Sequence, residues 1–319
     1  MINSILFSIV IPNWNGSRFL PVCLESLRRQ TYAPIEVIIV DNASSDGSQD
    51  LIKREYAWVK LIELPTNTGF TGACNAGMQA ARGDIVSLLN NDTEVDTNWA
   101  AAVLDAFARH PEVGSVASKM LLFDKRDHLH TAGDYFTIDG RAGNRGVWQK
   151  DVGQYEREEI VFSACGGSSA YRRVMLDQIG LLDNDFFFSG EDVDLGWRVN
   201  LSGWRCLYTP AAIVYHHLSA TGGGVTASFY DGRNLIFILV KNLPAALWRK
   251  YGGLILRAQG RQAGAAIRAW RGKEARAKLR GMLAGIAALP RMLKKRREVQ
   301  AMRRISIEAL ETLLSHEGY

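Results

Sequence analysis

Cysteine is scarce in this sequence of 319 residues: there are four, and no two of them form a CxxC pair. Structural zinc sites and disulfide frameworks both need cysteines in close, repeated spacing, so the pattern argues against either one. The cysteines instead indicate core thiols of a protein from a reducing compartment.

Long hydrophobic runs are also missing. No stretch reaches the roughly 18 apolar residues that cross a bilayer, and the apolar N-terminal residues lack the basic start and small-residue cleavage site of a signal peptide. We therefore expect a cytoplasmic protein without a membrane-spanning helix.

Two common nucleotide-binding motifs do not occur. The sequence contains neither GxGxxG nor GxxxxGK[ST], which argues against a dinucleotide-dependent enzyme and a P-loop NTPase. Proline is sparse, with 8 residues, and no segment repeats, which argues against low-complexity and repeat proteins.

Charge is present but unevenly distributed. The chain has a net charge of +5, yet residues 248–304 contain 17 Lys and Arg against 2 Asp and Glu, so this segment has a net of +15 and the rest a net of −10. We expect the acidic part to contain a metal site and the basic part to meet an anionic partner.

The first third of the chain alternates predicted strands with predicted helices. Such alternation predicts an α/β fold, in which a mostly parallel central sheet is flanked by helices on both faces. The first helix has Ser17 as its expected cap. Apolar runs predict strands at 7–12, 36–40, 59–64 and 84–89, and helical spacing predicts helices at 17–30, 44–56 and 72–82.

The remainder has a less regular pattern. Residues 119–159 predict loops or short antiparallel strands, and 160–164 and 206–208 predict two further strands. From about residue 228 the pattern is helical to the end.

Polar side chains follow three of the predicted strands. Asn13 and Asn15 follow the first, Asp41 ends the second, and Asn90-Asn91-Asp92 ends the fourth. Ligands of an open parallel sheet bind at the carboxyl ends of its strands. A carboxylate there can hold a divalent cation against a diphosphate, so Asp92 is a candidate metal ligand. Ordinary cap or turn chemistry is the alternative for Asp41 and Asp92.

Two further segments combine small or aromatic residues with polar ones. The glycines of Asn67-Thr68-Gly69-Phe70-Thr71-Gly72 would admit a ligand close to the backbone, although an ordinary loop and helix start would look the same. Residues 186–188 are three phenylalanines, and Ser189-Gly190-Glu191-Asp192-Val193-Asp194 follows them.

The acidic segment has its own two interpretations. On a helix, Glu191, Asp194 and Arg198 share a face, so one of the acids could pair with Arg198 while Asp192 stays free. A free carboxylate beside aromatic walls can act as a general base. An acidic first turn that complements the helix dipole is the alternative.

Two adjacent histidines follow an apolar stretch. Neighbouring residues of an extended chain point to opposite sides, so only one of His216 and His217 is expected to ligate a metal.

Taken in order, these segments resemble the inverting glycosyltransferases of family 2, which have the GT-A fold, and within them the bacterial rhamnosyltransferases of surface-polysaccharide synthesis. The matching segments span roughly residues 7–240, and their ordered set is specific although each is short. They are FSIVIPNWNG, EVIIVDNASSDGS, NTGFTGACNAG, SLLNNDTEV, ACGGSSAYRR, FFFSGEDVDLGWR and AIVYHHLSATGGG.

The resemblance implies a role for each matched position. Asp192 would be the catalytic base, while Asp92 and His216 would hold Mg²⁺ or Mn²⁺. Asn90 stands where the family's Asp-x-Asp motif has its first aspartate, so we expect a modest metal affinity. The nucleotide-sugar donor would be bound by Pro12, Asn13, Asn15, Asp41, Asn67, Gly69, Asn75 and Asn91.

The implied reaction is a single displacement with inversion. The resemblance implies dTDP-L-rhamnose as the donor, with a UDP-hexose as the alternative. The implied acceptor is a saccharide or a lipid-linked saccharide of a cell-surface polysaccharide.

Two regions are expected: a GT-A domain at 1–226 and a basic helical region at 227–319. Leu, Ile, Trp and Met between the basic residues of 248–304 predict binding to an anionic membrane surface, hence a peripheral position at the inner face of the cytoplasmic membrane. A solvated basic face or an oligomer contact is the alternative. The tail has few aromatic stacking platforms, which argues against nucleic acid.

Two rival functions come from other classes. Gly166-Gly167-Ser168-Ser169-Ala170 approaches the nucleophile elbow of a serine hydrolase but lacks its last glycine. A nucleotide-sugar-binding module without turnover is the non-enzymatic alternative.

Overall fold

A computed structural model describes residues 5–217 and 223–316. The strands are β1 (Phe7–Asn13), β2 (Ile35–Asp41), β3 (Lys60–Glu63), β4 (Ile85–Leu89), β5 (Thr93–Val95), β6 (Val113–Leu122), β7 (Lys125–Ala132), β8 (Asp134–Phe136), β9 (Ala142–Asn144), β10 (Glu159–Val161), β11 (Ser168–Arg172) and β12 (Arg205–His216). The helices are α1 (Leu20–Arg28), α2 (Ser48–Glu55), α3 (Gly69–Ala80), α4 (Trp99–Arg109), α5 (Arg173–Ile179), α6 (Glu191–Leu201), α7 (Gly224–Asn242), α8 (Ala245–Arg268), α9 (Lys273–Ala287), α10 (Leu289–Ala301) and α11 (Ile307–Glu311).

One large sheet runs through the molecule in the order β10-β12-β6-β11-β4-β1-β2-β3. The strands β4, β1, β2 and β3 are parallel to their neighbours in this series, and so are β6 and β12. Strand β11 lies between β4 and β6 and is antiparallel to both. The expected α/β fold is confirmed, and β11 makes its sheet a mixed one.

Helices cover both faces of this sheet, as the alternation predicts. Phe7, Ile9 and Ile11 of β1 pack into one core cluster with α1 and α4. Val10, between them in the strand, packs into a second cluster with α3, α5 and α6. Successive side chains of a strand point to opposite faces, so each face buries its own helices.

The first helix begins later than predicted. Ser17 does not cap it; the Ser17 N–H donates to Asp46 Oδ2 over 2.8 Å, and α1 begins at Leu20 with Pro21 in its first turn. Proline is favoured there because its missing N–H would have no helical partner and its φ is already helical.

The sequence pattern does not predict β6. This buried ten-residue strand was not predicted, because Ser115, Ser118 and Lys119 interrupt its apolar run. Lys119 is buried and forms an ion pair with Asp151 over 2.7 Å. Polar side chains that find partners inside the protein hide a core strand from sequence patterns.

The C-terminal helices share a core with the preceding domain. Phe237, Leu247 and Met292 pack in one cluster with Phe162 and Trp197. A search of the described residues finds no helix long and apolar enough to cross a membrane.

Helices α7 and α9 approach each other closely. A Cβ atom at Gly281 would lie 2.0 Å from the carbonyl oxygen of Phe229, and one at Gly285 would lie 3.1 Å from that of Arg233. Glycine is therefore required at Gly281, where the two helix backbones touch.

Candidate active site

The carboxyl ends of β1 and β4 and the beginning of α6 open into one cavity of about 1070 Å³. Asp92 and Asp192 both line this cavity. The other predicted site residues that line it are Pro12, Asn13, Asn67, Gly69, Asn91 and His216.

Asp92 and His216 lie side by side on the sheet side of the cavity. Asp92 Oδ1 is 3.1 Å from His216 Nε2, and both side chains are buried. His216 Nδ1 is 3.0 Å from His130 Nδ1. Burial, and then the neighbouring His216, lower the pKa of His130 to about 3, so His130 is neutral and can accept the Nδ1 hydrogen of His216. In that tautomer the Nε2 lone pair of His216 is available to a cation, whereas in the other tautomer Nε2–H donates to Asp92 Oδ1.

The His217 side chain lies elsewhere, so of the two rings it is that of His216 that lies against Asp92. The His217 ring stacks on Phe123 with centroids 3.7 Å apart, and its Nδ1 is 3.6 Å from Asp124 Oδ2. Only its backbone N–H reaches Asp92, whose carbonyl oxygen accepts it.

Asn90 and Asn91 complete the polar edge. Asn90 Nδ2 is 3.3 Å from His216 Nε2, while Asn90 Oδ1 is buried and has no hydrogen-bond partner within the described chain. The Asp92 carboxylate and the His216 imidazole nitrogen are a donor pair that fits a divalent cation, and the unpartnered oxygen of Asn90 belongs to the amide whose nitrogen faces His216. Asn91 Nδ2 donates to Asn13 Oδ1 over 2.7 Å.

Asp41 and Asn15, predicted to line the nucleoside pocket, are not among the residues lining the cavity. Asp41 is fully buried; its carboxylate accepts from Asn13 Nδ2 over 2.8 Å and from the N–H of Ser44 over 3.0 Å. Asn15 is exposed and accepts the N–H of Ser45 over 2.8 Å. Their polar atoms hold the loops after β1 and β2, and their predicted contact with the donor stays a prediction.

Asn75 also lies outside the cavity lining. Its amide donates to the carbonyl oxygen of Leu182 and to Asn184 Oδ1, each over 2.8 Å, and accepts the N–H of Leu182 over 3.1 Å. Asn75 thus links α3 to the segment before α6, and its predicted contact with the donor stays a prediction.

Gly69 lines the cavity, yet its glycine requirement has a structural cause. Its φ is +77°, and an added Cβ would lie 2.4 Å from the carbonyl oxygen of Phe187. A protein loop, rather than a ligand, makes the close backbone approach.

Three acidic side chains gather on the opposite side of the cavity. Asp192 Oδ2 accepts the N–H of Gly166 over 2.9 Å, and Oδ1 accepts the N–H of Val193 over 2.8 Å. Asp134 and the Cys165 thiol lie within 4.8 Å of Asp192. Glu191 is buried, and its Oε2 has no partner within the described chain.

Burial raises the proton affinity of all three carboxyls. Burial, followed by the charge of Asp192, raises the pKa of Glu191 to about 8 and holds that of Asp134 well above its usual range. Burial also raises the pKa of Asp192, but backbone N–H bonds from Gly166 and Val193 favour its anion. Asp192 is thus the carboxyl whose anion the backbone stabilises, with a stronger affinity for a proton than an exposed aspartate. Burial also raises the pKa of Cys165, which keeps it a thiol.

The predicted pairing of Arg198 with an acid of α6 is confirmed for Asp194, 3.1 Å away. Asp194 is fully buried and also contacts Lys241 Nζ over 2.6 Å. Lys241 reaches Asp183 over 2.6 Å as well, so this buried network joins α6, α7 and the segment before α6.

Residues 186–190, which we call the phenylalanine loop, precede α6 and have an unusual backbone. Phe187 and Ser189 have φ of 63° and 67°, and Gly190 has φ of 81°. A left-handed conformation costs a non-glycine residue about 1–2 kcal/mol, so surrounding contacts must stabilise this loop.

Several lining residues were not found from the sequence: His130, Asp134, Arg141, Asn234, Gln262 and Lys278. The first three lie in the stretch predicted to be irregular, and the others lie in the helical region predicted only to meet a membrane. Their chemistry depends on chain segments far apart in sequence, which periodicity does not report.

The serine hydrolase alternative finds no support. Ser168 is buried in β11, and its Oγ lies 2.9 Å from the Oγ of Ser118. A nucleophile must be exposed at a sharp turn with a base beside it, and Ser168 is in the middle of the sheet.

Comparisons with known proteins identify glycosyltransferases as relatives of this chain. A 27% identical relative over 265 residues, covering 76% of this chain and 86% of its own, is the N-acetylglucosaminyl-diphospho-decaprenol L-rhamnosyltransferase of Mycobacterium tuberculosis.

Two solved structures share the fold. GalNAc-T7 with UDP, GalNAc and Mn²⁺ has a TM-score of 0.61 at 18% identity, covering 76% of this chain and 48% of that one. Mannosyltransferase PcManGT from Pyrobaculum calidifontis, in complex with GDP-Man and Mn²⁺, has a TM-score of 0.56 at 16% identity and covers 98% and 79%. The fold is therefore GT-A.

The profile of one protein family, described as "Glycosyl transferase family 2", matches residues 8–180, more than half of the chain. The match includes Asp92, while Asp192 and His216 lie beyond it. With the α/β fold and the shared cavity, it establishes that this chain belongs to glycosyl transferase family 2.

Proposed function

We propose that this protein is an inverting glycosyltransferase that moves L-rhamnose from dTDP-L-rhamnose to a saccharide or lipid-linked saccharide in cell-surface polysaccharide synthesis. The observation that carries the proposal is one cavity that Asp92, His216 and Asp192 all line. A UDP-hexose is the alternative donor.

Asp192 is the proposed catalytic base. It takes the proton of an acceptor hydroxyl while that oxygen attacks the anomeric carbon, and the nucleotide diphosphate leaves from the opposite face. One bond forms as the other breaks, so the anomeric configuration inverts. The burial that raises the pKa of Asp192 supports this role, because a base works best when its pKa approaches the working pH.

Asp92 and His216 are the proposed metal ligands, and the orphaned Asn90 Oδ1 is a further oxygen donor beside them. A set that includes an imidazole nitrogen suits Mn²⁺ better than Mg²⁺, which prefers oxygen alone. A bound cation would offset the negative charge of the departing nucleotide diphosphate. Mn²⁺ is present in both structures of similar fold.

The remaining polar edge is the proposed donor site. Pro12, Asn13, Asn67, Gly69 and Asn91 line the cavity on this side. The bonded series from Asp41 through Asn13 to Asn91 fixes the amide orientations there, so Asp41 would support donor binding through Asn13.

The opposite end of the cavity is the proposed acceptor site. Arg141, Gln262 and Lys278 line it, and Lys278 has no ion-pair partner within the described chain. The positive charges of Arg141 and Lys278 suit the diphosphate of a lipid-linked acceptor. The name of the mycobacterial relative includes an acceptor of this kind.

Residues 248–304 are the proposed contact with an anionic membrane surface. Leu256, Ile267, Trp270 and Leu283 are each at least 59% exposed between basic residues of α8 and α9. Exposed apolar side chains among cations favour an anionic bilayer, which would hold the enzyme at the inner face of the cytoplasmic membrane beside a lipid-linked acceptor.

A donor screen tests the proposed activity. Nucleotide sugars are incubated with the full chain, Mn²⁺ or Mg²⁺ and a bacterial lipid extract, and products are detected by mass spectrometry. We expect rhamnosyl transfer from dTDP-L-rhamnose and none with Asp192→Asn. Donor binding without any product from the wild type would favour the non-catalytic binding module.

Vesicle binding tests the membrane contact. Arg268→Ala with Arg271→Ala should weaken binding to phosphatidylglycerol vesicles roughly tenfold or more, since each basic residue near such a surface contributes about 1 kcal/mol. Lys53→Ala with Arg54→Ala, which removes two cations from α2, is the matched control and should bind normally. Equal binding by both pairs would contradict the assigned surface.

A further inference from the structure

We propose that Asn234 of α7 is a positioning residue that fixes the phenylalanine loop, and through it the catalytic Asp192. This inference rests on the proposed function, because it assigns to the C-terminal helices a part in the same reaction.

The amide of Asn234 meets three backbone carbonyls of one loop. Asn234 is 1% exposed, and its Nδ2 lies 3.1 Å, 2.8 Å and 2.6 Å from the carbonyl oxygens of Phe186, Phe188 and Ser189. An amide nitrogen has two hydrogens, so at least one of them is shared between two acceptors.

The orientation of this amide is fixed by its other end. Arg233 Nε donates to Asn234 Oδ1 over 2.8 Å. A flipped amide would place its oxygen against three carbonyl oxygens and its nitrogen against a guanidinium, so only the observed orientation is compatible with the surroundings.

Two other residues of α7, Arg233 and Asp231, also bond to the loop or to the residue before it. Arg233 donates to the carbonyl oxygens of Asp185 and Phe186, each over 2.7 Å. Ser189 Oγ donates to Asp231 Oδ1 over 2.7 Å. These contacts compensate for the left-handed backbone of Phe187 and Ser189, which would relax to ordinary angles without them.

The loop ends directly at the catalytic helix. Gly190 precedes Glu191, and its carbonyl oxygen accepts the N–H of Asp194, so the loop sets where α6 begins. On its other side, the carbonyl oxygen of Phe187 accepts the N–H of Thr71 at the beginning of α3. A displacement of the loop would therefore move Asp192 relative to the donor side of the cavity.

Kinetics of Asn234→Ala and Asn234→Asp test the assignment. The first removes the donor, and the second puts a carboxylate against three carbonyl oxygens. We expect kcat to fall about 10-fold and 100-fold respectively, while the affinity for dTDP with Mn²⁺ changes much less, because Asp92 bonds to His216 and Asn91 to Asn13 rather than to the loop.

Asn200 supplies the matched control. It is also a fully buried asparagine that donates to a single backbone carbonyl, that of Phe162, but it lies at the far end of α6. Asn200→Ala and Asn200→Asp should lower the thermal midpoint in a similar way and leave kcat of the folded enzyme unchanged. If Asn234 and Asn200 variants lost kcat equally, Asn234 would have only a structural role.

A measurement without substrate makes the inference independent of the donor's identity. In Asn234→Ala, hydrogen exchange should accelerate at least tenfold at the amides of Thr71 and Asp194, which bond to the loop, and not in Asn200→Ala. Unchanged exchange at both amides would overturn the proposal.

The two proposals fail in distinguishable ways. If Asp192→Asn retained activity, the assigned base would be wrong whatever the Asn234 variants do. If Asp192→Asn were inactive and both Asn234 variants kept the wild-type kcat, only the positioning role would be wrong.

Discussion

The two sides of the cavity use carboxylates in different ways. On the sheet side, Asp92 lies against the imidazole of His216, an arrangement that suits a cation. On the helical side, Asp192 lies among carboxyls that burial keeps protonated, an arrangement that suits one proton acceptor. The comparison teaches that surroundings, rather than residue type, decide what an aspartate can do.

The sharpest test of this difference is a pair of adjacent substitutions. Asp192→Asn should lower kcat about 10²–10⁴-fold, the usual contribution of a positioned base. Glu191→Gln should keep most of the activity at neutral pH, because a pKa of about 8 already keeps Glu191 uncharged there. Measured turnover would contradict the assignment if Glu191→Gln were the more damaging change.

The stability of the helical side should also depend on its buried ion pairs. Lys241→Met removes the cation between Asp183 and Asp194, and breaking such a buried pair costs about 3–5 kcal/mol of unfolding free energy, measurable by urea titration. Lys250→Met, which removes an exposed pair with Glu311, is the control and should change stability little. Equal midpoints for the two variants would speak against a buried network that holds α6.

The stability lost in Lys241→Met should depend on pH, because the network includes the carboxylate of Asp183. Burial alone would raise the pKa of Asp183, but Lys241 and Lys295 more than offset it and hold that pKa well below its usual range. The stabilisation is therefore present above the unfolded pKa of about 4 and disappears as the pH falls below it. The difference between wild type and Lys241→Met should narrow in acid.

A smaller effect is expected on the sheet side. Asp92→Ala should weaken Mn²⁺-dependent binding of dTDP or UDP about 10–100-fold, as loss of a ligand or its support commonly does. Binding measured without metal should change much less. Calorimetry that found the same affinity for wild type and variant in Mn²⁺ would remove Asp92 from the metal site.

The smallest expected effect is a shift in the pH dependence of the activity. The acid limb should lie above the usual aspartate range, because activity needs ionised Asp192 and burial raises its pKa. The alkaline limb should begin near pH 8, where Glu191 ionises beside Asp192. In Glu191→Gln the alkaline limb should move to higher pH; an unchanged limb would show that another group produces it.

Much of the donor side could be predicted from the sequence. Short apolar strands that end in Asn13 and in Asn90-Asn91-Asp92 have a local pattern, and parallel strands bring their carboxyl ends together at one edge. Contacts between distant segments could not be predicted in this way. Asn75 was expected at the donor and instead bonds to Leu182, and Asp134 lay in a stretch with no clear periodicity.

The sequence by itself determined the alternation of strands and helices, the polar strand ends and the basic tail, because these follow from the spacing of apolar and charged residues along the chain. Only the tertiary structure decided that the ring of His216 rather than that of His217 lies against Asp92, that burial raises the pKa of Glu191 and Asp192, and that α7 bonds to the phenylalanine loop. The physical reason is that pKa values and hydrogen-bond partners depend on burial and on groups brought together by folding, which no local pattern contains.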